Sequence, residues 1–189
     1  MVNLIEIVQS RLSLPPLEKI DPNLQEIKQF GRARPAARLA QASVPAVLAA
    51  IYKLTRSDEG CAALLNKPVS IDWLTLIWAG NAEAAGKKIA GYAGVALADA
   101  SRTMHTVAAE AIDLLLKHAG HQPRPESIRA LMDTQRHHIL VYLPAALQIG
   151  EVLGDEALDD RTNKMEGPLS GFMHKIETVL SKGDMSKYP

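Results

Sequence analysis

A single cysteine, Cys61, stands in 189 residues, which excludes an internal disulfide framework and fits a reducing compartment. Aromatic residues make up only 4% of the chain against a hydrophobic share of 47%, so Ala, Leu, Ile and Val must fill the interior. The alternating β-branched and aromatic runs of a sheet protein are missing as well, and small aliphatic side chains in their place favour closely packed helices. Charge of one sign is not in excess: 21 basic residues balance 21 acidic ones, so attraction to nucleic acid or to an anionic membrane requires a local patch. No long apolar run is present either. The longest uncharged stretch, Leu39 to Tyr52, has 14 residues, short of the roughly 20 a spanning helix needs, and Glu6 interrupts the start Met1-Val2-Asn3-Leu4-Ile5-Glu6-Ile7, which does not read as a signal peptide. These points predict a soluble, cytoplasmic protein that does not enter membranes.

What is there is organised around Ala36 to Leu65. The part before Tyr52 is apolar on every face, the pattern of a helix that others pack against. Pro45 is placed in a first turn, with Ser43 as the cap of a buried helix from Val44 to Leu54; a kinked continuous helix from Pro35 is the alternative. Ser57, followed by Asp58 and Glu59, starts a helix to Leu65 that turns back on its predecessor. Cys61 on its buried side reads as a small packed hydrophobe.

Ahead of this core, Asn3 caps a helix through Leu4, Ile5, Val8 and Leu12 that stops at Pro15-Pro16. Asp21 and Pro22 open a second one through Leu24, Ile27 and Phe30, closed by Gly31 as a left-handed cap. After it, Ser70 caps Ile71 to Ala79, Gly80-Asn81 closes that segment, and Ala82 to Ala93 follows. Gly86, Gly91 and Gly94 match no phosphate-binding loop and read as close helix contacts. The longest amphipathic pattern runs from Ala98 to Ala119, and Pro125 launches another from Glu126 to Leu143. Ala145 to Leu153 is a short apolar piece ended by Gly154. The acidic stretch from Asp155 to Arg161 reads as a mobile loop, and Pro168 begins a final helix.

The sum is an all-α, single compact domain over residues 1–189, with about eight to ten helices around a buried Ala/Leu-rich one. It comprises an N-terminal helical arm (1–31), a core (32–154), and an acidic loop with a C-terminal helix (155–189). Leu48→Ala or Ile51→Ala is expected to cost about 2 to 5 kcal/mol, read as a fall in Tm.

No catalytic motif stands out. Arg32, Arg34 and Arg38 form the densest positive cluster, and with Lys87, Lys88 and Arg102 they are the candidate phosphate contacts of a helix-turn-helix-like DNA-binding pair. Asp133 lies four residues before His137 and can orient its ring for acid/base work, with His138 adjacent; these three form a candidate polar site. His137 and His138 project about 100° apart on a helix and cannot share an ion from one face. His118 and His121 flank Gly120 without a third ligand, so no metal and no cofactor is expected. A histidine-dependent enzyme would need His105, His118, His121, His137 or His138 to meet Asp99, Glu110 or Asp133 in one pocket. The favoured reading is a non-enzymatic protein-interaction or scaffold module, binding a protein partner or itself. DNA binding is the first alternative and a histidine-dependent enzyme or metal protein the second.

Several segments together resemble the YidB-like bacterial proteins of unknown function. They are Val44-Pro45-Ala46-Val47-Leu48-Ala49-Ala50, Ser57-Asp58-Glu59-Gly60 with Ala62-Ala63-Leu64-Leu65, Gly80-Asn81, Ala90-Gly91-Tyr92-Ala93-Gly94-Val95, Gln135-Arg136-His137-His138-Ile139 and Leu143-Pro144-Ala145-Ala146-Leu147. They cover roughly Leu39 to Gly154. The resemblance implies an all-α bacterial domain, partly homeodomain-like in its helical arrangement, with no established activity, no cofactor and no catalytic residue to carry over. The chain departs from that pattern in having fewer glycine and serine linkers and in adding the Asp21 and Pro168 helices.

Overall fold

A computed structural model of the chain describes residues 2–21, 25, 27, 30–66 and 72–158. The chain divides into units Met1–Asp159 and Asp160–Pro189, and every described residue belongs to the first. Among these residues there are eight α-helices, α1 (Leu4–Arg11), α2 (Pro35–Leu54), α3 (Asp58–Asn66), α4 (Trp73–Ile77), α5 (Ala82–Ala93), α6 (Leu97–His118), α7 (Pro125–Tyr142) and α8 (Ile149–Leu153), with three short 3-10 turns. The expected all-α, multi-helix architecture is what forms. The Pro168 helix and most of the Asp21 helix lie outside the described residues.

Every residue of α2 from Ala40 to Ile51 is buried, and the helix packs against α5, α6 and α7 while also touching α1, α4 and α8. Its small side chains let the neighbours approach from all sides. Of the stripe expected on α6 (Met104, Val107, Ala108, Ala111, Ile112, Leu115 and His118) all are buried but His118, which is exposed; of that expected on α7, Ile128, Met132, Gln135 and Ile139 are buried and Leu131 and Tyr142 half-buried.

Five local expectations give way, each for a physical reason. Pro45 lies inside a continuous α2, so the helix is not divided there and Ser43 does not cap it; the Ser43 hydroxyl is buried without a hydrogen-bond partner. An internal proline costs on the order of 3 kcal/mol through the missing N–H and the clash with the preceding turn. Burial of the run Ala40 to Ile51 around it outweighs that cost. Asn3 sits at the N-cap of α1 but its side chain makes no capping bond. The cap is supplied from α7 instead, where Gln135 Oε1 accepts the Leu4 N–H at 3.0 Å and Gln135 Nε2 donates to the Val2 carbonyl at 2.9 Å. Gly31 lies in a 3-10 turn, Phe30–Arg32, and does not adopt a left-handed conformation. Asp72 caps α4, its Oδ1 accepting the Leu74 N–H at 3.0 Å, two residues later than the Ser70 expected, which is outside the described residues. Finally, α3 starts as expected, with Ser57 Oγ accepting the Gly60 N–H at 3.0 Å, but it packs chiefly on α7 rather than back along α2.

The tight corner between α2 and α3 depends on Gly60, where a Cβ would run into the backbone carbonyl of Leu54. Of the three glycines on and after α5, only Gly86 serves helix contact, facing Leu97 of α6; Gly94 is a left-handed C-cap at φ 70°, and Gly91 faces open space. Beyond α7, the extended residues before Asp21 run beside the helix end, with Ile20 N–H donating to the Val141 carbonyl at 2.9 Å.

Candidate functional site

The two ends of α2 gather the polar chemistry of this unit. Near its N-terminal end, Gln41 is buried within the apolar run. Its Oε1 accepts the Glu18 N–H at 2.8 Å, and its Nε2 donates to the carbonyls of Glu18 at 3.0 Å and Tyr142 at 2.7 Å. One side-chain amide thus pairs with a backbone peptide as a neighbouring strand would, and fastens the arm and α7 together. The amide is fully satisfied, so the site is structural.

At the other end, Lys53 and Arg56 emerge where α2 stops. Lys53 Nζ at 3.2 Å and Arg56 Nη1 at 3.0 Å both donate to one oxygen, Oδ2, of Asp155. Asp155 is buried, and its N–H donates to the Gly150 carbonyl at 2.8 Å. The first residue of the expected mobile acidic loop is therefore a fixed counter-ion. The remainder of that loop from Asp159 onward lies outside the described residues.

Beside this pair opens a cleft of about 480 Å³, walled by the end of α2, the start of α3, the end of α4 and Leu153 of α8. Its apolar wall is Leu54, Leu76, Ile77, Trp78 and Leu153, and its polar edge is Lys53, Arg56, Ser57 and Asn81. Among the described residues, no acidic side chain lines it. Its size falls in the range of small-ligand and peptide pockets. Asn81 Nδ2 donates to the Val152 carbonyl at 3.1 Å and so holds α8 to the start of α5. The indole Nε1 of Trp78, a residue with no exposed surface, has no hydrogen-bond partner. α4 ends here in two hydrogen bonds from the following turn, the Ala79 N–H donating to the Leu76 carbonyl and the Gly80 N–H to the Thr75 carbonyl, with Ala79 at φ 48°. A side chain in that left-handed region is uncommon and marks strain in the cleft wall.

The six candidate phosphate contacts are arranged differently. Arg32 and Arg34 are exposed before and at the start of α2, and Arg38 lies against Gly94 at the end of α5. Lys87 pairs with Glu83 at 2.7 Å, Lys88 with Glu151 at 3.0 Å, and Arg102 with Asp99 at 3.1 Å. Of the polar trio, Asp133 and His137 are exposed and form no ion pair with each other among the described residues; His137 and His138 meet edge to face with ring centroids 6.1 Å apart. His118 Nδ1 lies 2.8 Å from the Leu114 carbonyl on its own helix, and His105 lies 3.6 Å from Asp72 across α4 and α6. Among the described residues, no group of three His, Cys, Asp or Glu side chains is placed to hold a metal ion. No helix among them is long and apolar enough to cross a membrane.

Cys61 and Asp72 are among the titratable groups whose pKa is shifted. Burial pushes the Cys61 thiol up from its ordinary value, only partly opposed by Arg129, and its Sγ lies 3.2 Å from the Thr55 carbonyl it can donate to. Hydrogen bonds hold the Asp72 carboxyl below its usual range, that from Thr75 first, opposed by slight burial and aided by the Leu74 N–H and His105.

No pattern in the sequence singles out the cleft, whose walls come from four separate elements. One signal was readable: Lys53 and Arg56 stand three apart at the foot of the longest uncharged run. Compared with protein-family models, with curated proteins and with solved structures, the chain matches none of them.

Proposed function

We propose that the chain is a YidB-like, non-enzymatic interaction module that binds a protein partner through the cleft at the C-terminal end of α2. The observation that carries this reading is a recess with an aliphatic wall and an edge of cations, with no acid among its described lining residues, built on a buried helix. Such a surface offers dry contact area and orientation, and its lining contains no cysteine, histidine or carboxylate. Several segments that carry the YidB-like resemblance fall at structural joints, which supports using them together: Gly60 at the α2–α3 corner, Gly80-Asn81 at the cleft, and Gly94 as a left-handed cap. DNA is the weaker partner, because three of the six candidate cations already lean on carboxylates. A cytoplasmic setting suits Cys61, a free thiol held in the core.

The test is photo-crosslinking in cells from reactive residues introduced at positions spread over the surface. Discrete protein adducts are expected. A protein that yields none, and that sediments as a monomer at every concentration, removes the interaction reading.

A further inference from the structure

Resting on that reading, we infer that the cleft takes the carboxyl terminus of its partner, a free α-carboxylate on a residue with an aliphatic side chain. The charge count points there. Lys53 and Arg56 share a single oxygen of Asp155, and among the described residues no other acid lines the recess, so these three side chains leave the edge one positive charge in excess. Both cations stay accessible, with side-chain exposures of 38% and 54%. An ammonium has three donors and a guanidinium five, so each retains N–H groups after serving Asp155. A second carboxylate arriving at the edge gains charge-assisted hydrogen bonds of the strong kind.

The rest of the recess selects what the carboxylate is attached to. Leu54, Leu76, Ile77 and Leu153 present hydrocarbon beside the cations, so an aliphatic side chain next to the carboxylate is desolvated as the charge is paired. A phosphodiester would bring its polar sugar against that wall. A fatty acid needs an enclosed channel for its tail, whereas this recess of about 480 Å³ is open to solvent and suits a short chain end. Asp155 then has a second role. As a buried counter-ion it holds the two cations side by side before the partner arrives, so that binding spends less of its free energy on ordering them.

Fluorescence polarisation of a short labelled peptide ending in leucine tests this directly, with its C-terminally amidated twin, using the full chain. The free acid is expected to bind saturably, the amide at least about tenfold more weakly, in line with the loss of a charge-assisted hydrogen bond. Arg56→Gln is expected to weaken the free acid by a similar factor while leaving the amide unchanged, and Arg56→Lys to retain most of the affinity. Arg56 is exposed, so these variants keep the fold, as thermal melts will verify. Equal binding of acid and amide, or an unchanged Arg56→Gln, overturns the assignment. So does dodecanoate if it displaces the peptide at a lower concentration than the unlabelled peptide does. Absence of peptide binding together with crosslinks from another face, such as the groove lined by Leu12, Leu14, Thr103 and Thr106, overturns the assignment and the cleft as the partner's seat, and leaves standing only that the chain binds a protein partner. Absence of both removes the two together.

Discussion

Near its N-terminal end α2 is held by neutral hydrogen bonds made by the buried Gln41; at its C-terminal end it is held by a buried carboxylate, Asp155, and two cations that water still reaches, Lys53 and Arg56. The first arrangement is complete, since the amide has its partners and the segments it joins are closed over it. The second is incomplete in a useful sense, since one carboxylate serves two cations and a recess opens beside them. Buried neutral bonds are high-stakes and insensitive to salt, whereas partly exposed ion pairs are weak and adjustable. A protein that places both on one helix keeps its scaffold at one end and its responsive chemistry at the other.

The contrast can be broken in four ways, taken from the largest expected effect downward. Gly60→Ala forces a methyl group into the Leu54 carbonyl at the charged end, and overpacking against backbone is expected to cost about 3 kcal/mol, measured by urea unfolding. Should it prove neutral, the corner would be looser than the contrast requires. Gln41→Ala strips the partners from the Glu18 peptide and the Tyr142 carbonyl, with an expected loss of about 2 kcal/mol that does not change between low and high salt. A strong salt dependence there would erase the distinction between the two ends.

Asp72→Ala removes the cap of α4, at an expected cost of about 1 kcal/mol. Because its folded-state pKa lies below the ordinary 3.8, the stabilisation is present above that value and is lost as the pH falls through the lowered one. Acid titration of stability in the wild type and in Asp72→Ala should therefore converge at low pH, and parallel curves would deny the carboxylate that part. Asp155→Asn is expected to cost least, no more than about 1 kcal/mol, because both partners are partly in water, and the difference should shrink in added salt. An effect as large as that of Gln41→Ala, persisting in salt, would make the charged end as rigid as the neutral one.

Much of the architecture was legible from patterns that depend on neighbours in sequence. The buried run of α2, the stripes of α6 and α7, and the proline start of α7 follow from periodicity and from the chemistry of helix ends. What escaped depended on partners far along the chain. Asn3 looked like a cap because its residue type is right, yet Gln135 arrives from more than a hundred residues away to take the Leu4 N–H. Pro45 looked like a boundary because local sterics oppose it, and tertiary burial outweighed them. Asp155 resembled the loop acids that follow it until the fold placed it against two cations. The cleft was invisible for the same reason: its walls adjoin only after α3, α4 and α8 have docked. A lone glutamine within an otherwise apolar, uncharged run was the one readable hint of the polar staple.

Gln41 has a consequence for uniqueness. A helix that is Ala-rich and buried on all sides has little in its own shape to fix its rotation about its axis, since small side chains are nearly interchangeable from face to face. The carboxamide removes that degeneracy: turning α2 by one residue would carry it away from three backbone groups at once and bury its own amide among apolar side chains without partners. It acts as a key in a slot. Gln41→Leu is a substitution that retains volume and helicity, and its signature lies in multiplicity, with NMR resonances along α2 split or broadened where the native helix gives one sharp set.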